Sequence, residues 1–259
     1  MVKTSEGTFV ADGQELYTKT WLPDGAPVAK LIVVHGFSDH VNNYFDFFPT
    51  LASRGIAVYG FDQRGWGRSV KKSSDKGRTG PTATVIGDIV AFVRPHVQPD
   101  GNGVPVFVLG HSMGGNEVAT LMAAPLGSEY DTAVVRHVRG WLLEAPFFGF
   151  PQGESPSALK IAAGRLAGRL LPYFQLKHVL PKPYLTRDPD CLAQLEQDTL
   201  CHDTGTLEGL SGLLDRVNDI AQGRVQPTAS VQSVWLGHGD ADRCTDFVAS
   251  KRWFDTAAA

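Results

Sequence analysis

The chain has 259 residues, 42% hydrophobic and 20% charged, which suits one large globular domain with a filled core. Its formal charge of −3 is spread over interspersed Lys, Arg, Asp and Glu; with no basic stripe to neutralise phosphates, nucleic acid is excluded as an expected partner. The three cysteines, Cys191, Cys201 and Cys244, form no CxxC pair, which argues against a disulfide framework or zinc site and for a reducing, cytoplasmic setting, while no apolar run reaches the roughly 18 residues of a membrane span.

The first predicted element is a hairpin, "GTFVADGQELYTKTWLP", turning at Asp12-Gly13, a dipeptide that tolerates positive φ. Short apolar runs follow, "AKLIVVHG", "GIAVYGFD", "VPVFVLGH", "VRGWLLEAP" and "VQSVWLGHGD", of the kind buried on both faces of a parallel sheet. Helical stretches at Phe45–Ser53, Ala83–Val97 and Gly115–Ala124 separate several of them. This alternation predicts a doubly wound α/β domain over residues 1–259. In "FDQRGWGRS", the glycines Gly65 and Gly67 fit neither G-x-G-x-x-G nor a P-loop and read as turn residues. Neither a cofactor nor a metal is expected.

Residues 150–227 break the rhythm, with several prolines, helix-like pieces and no convincing strand, and read as a cap inserted over the strand ends. Within them, "SPSALKIAAGRLAGRLLP" sets Leu159, Ala163, Leu166 and Leu170 at helical spacing. Two readings stay open: this stripe packs on the domain below, or it is the apolar face of a lid that meets lipid.

"GHSMGG" matches G-x-S-x-G, after an apolar strand and before a helix-forming run. A serine on that sharp turn is exposed for attack, and its neighbours must be small for the backbone to close, so Ser112 is the candidate nucleophile. The oxyanion of an acyl-transfer intermediate needs two fixed N–H donors. The residue after the nucleophile, Met113, and one in the loop after the strand "LIVV", Phe37, are nominated. His35 is expected to orient that loop through its ring nitrogens, with Asp39, His40 and Tyr44 holding it. The acid should follow a later strand; "HGDADR" offers Asp240 and Asp242, and Asp242 is preferred because the loop turns over the sheet there, leaving Asp240 to shape the loop or cap a helix.

In this order and at these separations, "HGFSDHVNNY", "GFDQRGWGRS", "GHSMGG", "EAP" and "HGDADR" resemble the monoacylglycerol lipase family of serine α/β-hydrolases, particularly its fungal branch. The resemblance runs from about Glu6 to Phe254. It implies an α/β-hydrolase fold, a mostly parallel central sheet flanked by helices with a helical cap, and an acyl-enzyme route to fatty acid release from monoacylglycerol through Ser112 and Asp242. It also implies a lipid ester substrate, or a lysophospholipid or other carboxylic ester within the same chemistry, and a cap that sits on membranes or lipid droplets.

In that family the catalytic histidine lies beyond a further helix and strand, whereas here no histidine follows His238. The last strand and helix are therefore expected to be missing, leaving Val231–Leu236 as an apolar sheet edge. None of the eight histidines fits the base: His111 is expected to pack inward, His238 lies before the acid on its wrong side, and His96, His137, His178 and His202 fall in helix ends, loops or the cap. The rival expectation is a base-lacking fold that binds lipid or a partner without turnover.

Overall fold

The computed structural model describes all residues except 98–102, 152, 156 and 258–259, so two positions of the insertion and the last two of the chain lie outside the described residues. The hairpin pairs β1 (Lys3–Ala11) with β2 (Gln14–Leu22), and its two-residue loop places Asp12 at φ 46° and Gly13 at φ 71°, the left-handed geometry such a turn demands. Four apolar runs become β3 (Ala29–Val34), β4 (Ile56–Phe61), β5 (Val106–His111) and β6 (Gly140–Glu144). The insertion contributes β7 (Gln175–Lys177) and β8 (Thr204–Thr206), and β9 (Val234–Gly237) returns to the main sheet. Its strand order is β1-β2-β4-β3-β5-β6-β9, antiparallel through β1, β2 and β4 and parallel from β4 to β9.

The helices are α1 (Phe47–Ser53), α2 (Thr82–Val93), α3 (Met113–Met122), α4 (Glu129–Ala133), α5 (Ala158–Leu170), α6 (Pro189–Gln197), α7 (Leu207–Ala221) and α8 (Phe247–Ala257). Strand alternation divides the core. Ile32 and Val34 join Ile89, Val118 and Trp253 on one face of the sheet, while Leu31 and Val33 join Trp21 and Phe48 on the other. Fully burying an aliphatic or aromatic side chain contributes roughly 1.5–3 kcal/mol, so β3, buried on both faces, anchors both layers.

One expectation about the insertion is corrected. It does contain strands: β7 and β8 pair antiparallel from Gln175↔Thr206 to Lys177↔Thr204, and at three residues each they are too short for a period of two to show in sequence. Of the two readings of the stripe, packing on the domain below does not hold at Leu166 and Leu170, whose side chains are 61% and 74% exposed, while the side chain of Leu159 lies outside the described residues. On its inward side α5 sets Gly168 against Leu207, and Arg165 pairs with Asp215 on α7. β9 lies at the sheet edge, with Trp235 exposed.

Candidate active site

Ser112 joins β5 to α3 with φ 54° and ψ −116°, a conformation that a non-glycine residue holds only when its surroundings impose it. Its amide donates to Glu144 O at 3.0 Å, and its carbonyl accepts from Gly115, Asn116 and Phe147 amides. The flanking glycines are dictated by contact. A Cβ on Gly114 would lie 2.2 Å from Val34 O, one on Gly110 2.6 Å from Gly114 O, and one on Gly115 2.7 Å from Pro146 Cβ. The pattern read from sequence is thus a steric requirement of three chain segments crossing at one point.

The loop after β3 runs directly against this serine: a Cβ on Gly36 would lie 3.1 Å from Ser112 Cβ and 3.5 Å from Oγ. Phe37 follows, and neither its amide nor that of Met113 at the start of α3 donates to a protein acceptor among the described residues. His35 braces the loop as expected. Fully buried, it donates from Nδ1 to Gly36 O at 2.8 Å and accepts at Nε2 from the Gln63 amide at 2.8 Å, so it is neutral with both nitrogens in use, and burial lowers its pKa. Asp39 accepts from Tyr44 Oη (2.9 Å), Asn43 Nδ2 (2.9 Å) and the His40 amide (2.8 Å), with His111 Nδ1 3.7 Å away. Burial alone would push this carboxyl up, but His111 and Asn43 outweigh it and hold it well below the usual range. Gly65 and Gly67 sit at φ 83° and 51°, and a side chain on Gly67 would meet Asp62 Oδ2, the acceptor for the Arg68 amide, whose partner oxygen Oδ1 accepts from the Val41 amide; both glycines are turn residues.

At the same edge of the sheet, two strands away, Asp242 accepts from the Cys244 amide (2.7 Å), the Thr245 amide (3.1 Å) and Thr245 Oγ1 (2.7 Å). His238 does not lie on the wrong side of this acid. A turn closed by Asp242 N–H to Gly239 O folds the chain back, and His238 Nε2 comes within 3.3 Å of Asp242 Oδ2 and 3.0 Å of Thr245 Oγ1. Burial would raise the Asp242 pKa; His238 and the amides of Cys244 and Thr245 drive it well below the usual range instead. Asp240 is exposed, and it is Asp246 that caps α8, accepting from the Val248 amide.

No histidine nitrogen hydrogen-bonds Ser112 Oγ among the described residues. His111 departs from its expected inward packing: its ring meets Tyr44 edge-on and its side chain is 36% exposed, because the space behind the elbow is filled by backbone. His40, Asp198 and Cys201 cluster as three ligand-type groups within 4.8 Å of one another. In this structure His40 and Asp198 bond one another. His40 Nδ1 accepts from the Asn42 amide, so the proton sits on Nε2 and is donated to Asp198 at 2.6 Å, while burial, Asp39 and Asp198 push the Cys201 thiol up to about 12. The cluster is a latch between the β3 loop and the insertion, which sequence reading missed because its partners lie 158 residues apart. The same holds for Glu117 of α3, whose partner Arg216 comes from α7.

A family profile described as "Serine aminopeptidase, S33" matches residues 25–259. A putative monoglyceride lipase of Schizosaccharomyces pombe is 31% identical over 94% of this chain, which spans only 61% of that relative's length. The rat monoglyceride lipase is 31% identical over 91% of this chain and 72% of its own. In structure, a soluble variant of the Saccharomyces cerevisiae monoglyceride lipase, solved with a substrate analogue, superposes with a TM-score of 0.83 over 98% of this chain and 82% of its own at 18% identity, a likeness of fold.

Proposed function

The chain belongs to the serine aminopeptidase S33 family and, within it, to the monoacylglycerol lipases, and from that membership we propose that it hydrolyses carboxylic esters of lipids, monoacylglycerol first among them, through an acyl-enzyme on Ser112. The observation that carries this reading is the strained turn at Ser112, with the Gly36 backbone against its side chain and the Phe37 and Met113 amides uncommitted beside it. In the attack, Ser112 Oγ bonds to the ester carbonyl carbon while the two N–H groups receive the oxyanion, stabilising charge that develops only in the transition state. The Oγ proton passes to a base, which no described histidine supplies at Oγ, and from it to the alcohol oxygen that leaves as the acyl-enzyme forms. Asp242 is the carboxylate placed to orient such a base, its charge secured by four donors.

A second reading is favoured by one observation: His238 and Thr245 already occupy Asp242, and no described histidine bonds Ser112. On that reading the fold holds a lipid without turning it over. Hydrolysis of monooleoylglycerol separates the two. Turnover that falls about 10⁴-fold or more in Ser112→Ala supports the hydrolase; undiminished fatty-acid binding with no turnover supports the second reading.

The exposed Leu166, Leu170, Leu171, Tyr173, Phe174 and Val179 form an apolar face of the insertion suited to a lipid surface. No helix among the described residues is long and apolar enough to cross a membrane, so contact through this face is peripheral. The double variant Leu170→Asp/Phe174→Asp is expected to lose most co-flotation with phosphatidylcholine vesicles while still hydrolysing a water-soluble ester; unchanged flotation counts against the assignment.

A further inference from the structure

The segments that carry the apolar face of the insertion also carry cations that the protein's own packing leaves unused. Gln175 of β7 donates from Nε2 to Ser73 O and to Lys76 O, both at 2.9 Å, which pins the loop 73–76 of the main domain beside the segment bearing the exposed Tyr173 and Phe174. Arg78, just after this loop, sets its guanidinium 3.9 Å over the Tyr173 ring. A cation stacked on an exposed ring is held at the protein surface, and the pair is amphipathic in the way that suits a boundary between water and lipid.

Neighbouring cations are spoken for: Lys71 pairs with Glu15 at 3.6 Å, Lys182 with Asp203 at 3.9 Å, and Arg165 with Asp215. Lys72, Lys76 and Arg78, together with Arg169 next to Leu170 on α5 and Lys177 on β7, are exposed or half-buried and form no ion pair among the described residues. The carboxylates on the same segments are Asp75, whose Oδ2 accepts from the Lys72 amide, and Glu208, whose amide bonds Pro172 O. Positive charge is therefore in excess here, whereas the chain as a whole is at −3. Surface cations are ordinarily interspersed with carboxylates, so the excess asks for a partner.

Exposed leucines and rings alone would suit any apolar partner, and unpaired cations alone any polyanion. Their combination fits a bilayer with negatively charged headgroups, because apolar side chains enter the acyl boundary while long cationic side chains stay at headgroup level. We infer that the insertion face docks on anionic bilayers, with Lys72, Lys76, Arg78, Arg169 and Lys177 meeting the headgroups around the apolar contact. This rests on the lipid-surface assignment of that face and not on Ser112 being a nucleophile.

Co-flotation of the full chain with vesicles of phosphatidylcholine alone, and with vesicles in which about a third of the lipid is phosphatidylglycerol, tests it. In about 0.1 M salt the partition onto anionic vesicles is expected to be at least about 10-fold stronger, and the preference should vanish in about 1 M salt, where charges are screened beyond about 3 Å. Lys72→Gln/Lys76→Gln is expected to cut the preference at least about 5-fold with partition onto neutral vesicles unchanged. Lys251→Gln/Arg252→Gln, which removes the same charge from α8, is expected to leave it intact; equal losses in the two double variants overturn the assignment to this face. Equal partition of the wild type onto both vesicles overturns the inference and leaves the apolar contact standing. Flotation with anionic vesicles alone supports the inference and overturns the neutral-lipid contact, and flotation with neither sinks both. Failure of the hydrolase reading shows separately, as absent monooleoylglycerol turnover with the anionic preference intact.

Discussion

Two loops at the carboxyl edge of the sheet use the same chemistry in opposite ways. After β3, Asp39 gathers Tyr44, Asn43 and the distant His111 around a backbone that lies against Ser112. After β9, Asp242 draws all its partners, His238, Cys244 and Thr245, from within four residues of itself. The first loop is therefore braced by the rest of the site and transmits any disturbance to the serine, whereas the second is a self-contained turn whose carboxylate can be altered with little structural consequence. A depressed carboxyl pKa accompanies both arrangements, so it does not by itself distinguish a structural acid from a catalytic one.

The contrast breaks most completely where the first loop meets the elbow. Gly114→Ala would drive a Cβ into Val34 O and His35 O, and the expected cost exceeds about 4 kcal/mol by urea denaturation; a variant of near wild-type stability would show that the crossing can relax. Next, Asp39→Ala is expected to cost about 3 kcal/mol, because it strands the half-buried Tyr44 and Asn43 donors and the buried His40 amide. Asp242→Ala should cost only about 1–2 kcal/mol, the worth of a lost cap, yet slow acylation of Ser112 about 10⁴-fold if it orients the base. Equal stability losses in the two variants would erase the distinction between the loops.

A further effect is in pH dependence. Both aspartates are depressed in the folded state, so their contribution is present above the ordinary carboxyl value of 3.8 and is lost as pH falls below it. Glu117 has the opposite sign. Burial, outweighing Arg216, pushes it from 4.5 up to about 7, so the folded chain binds the extra proton and stability declines as pH rises through that window. Thermal unfolding from pH 4.5 to 7 should show this decline in the wild type and a flatter profile in Glu117→Gln; parallel profiles would contradict it.

What was legible in the sequence follows the same division between local and distant partners. The Asp12-Gly13 turn, the elbow glycines and the buried runs of β3 and β5 are specified within a few residues, and they fold as read. The role of His35 was legible because it adjoins the loop it braces. By contrast, the outward face of α5 depends on its docking against α7, where Arg165 meets Asp215, the latch of His40 on Asp198 spans 158 residues, and Glu117 in an otherwise apolar helix gains its meaning only from Arg216. His238 failed for a different reason: the turn from Gly239 to Asp242 reverses the chain, and a separation of four residues does not reveal that reversal.

The central claim is that Ser112 is an activated nucleophile, and covalent labelling addresses it most directly. Intact-mass analysis after exposure to a fluorophosphonate is predicted to give one adduct per chain, mapped to Ser112 by peptide fragmentation and absent from Ser112→Ala. An unmodified chain, or an adduct on another residue, would contradict the account.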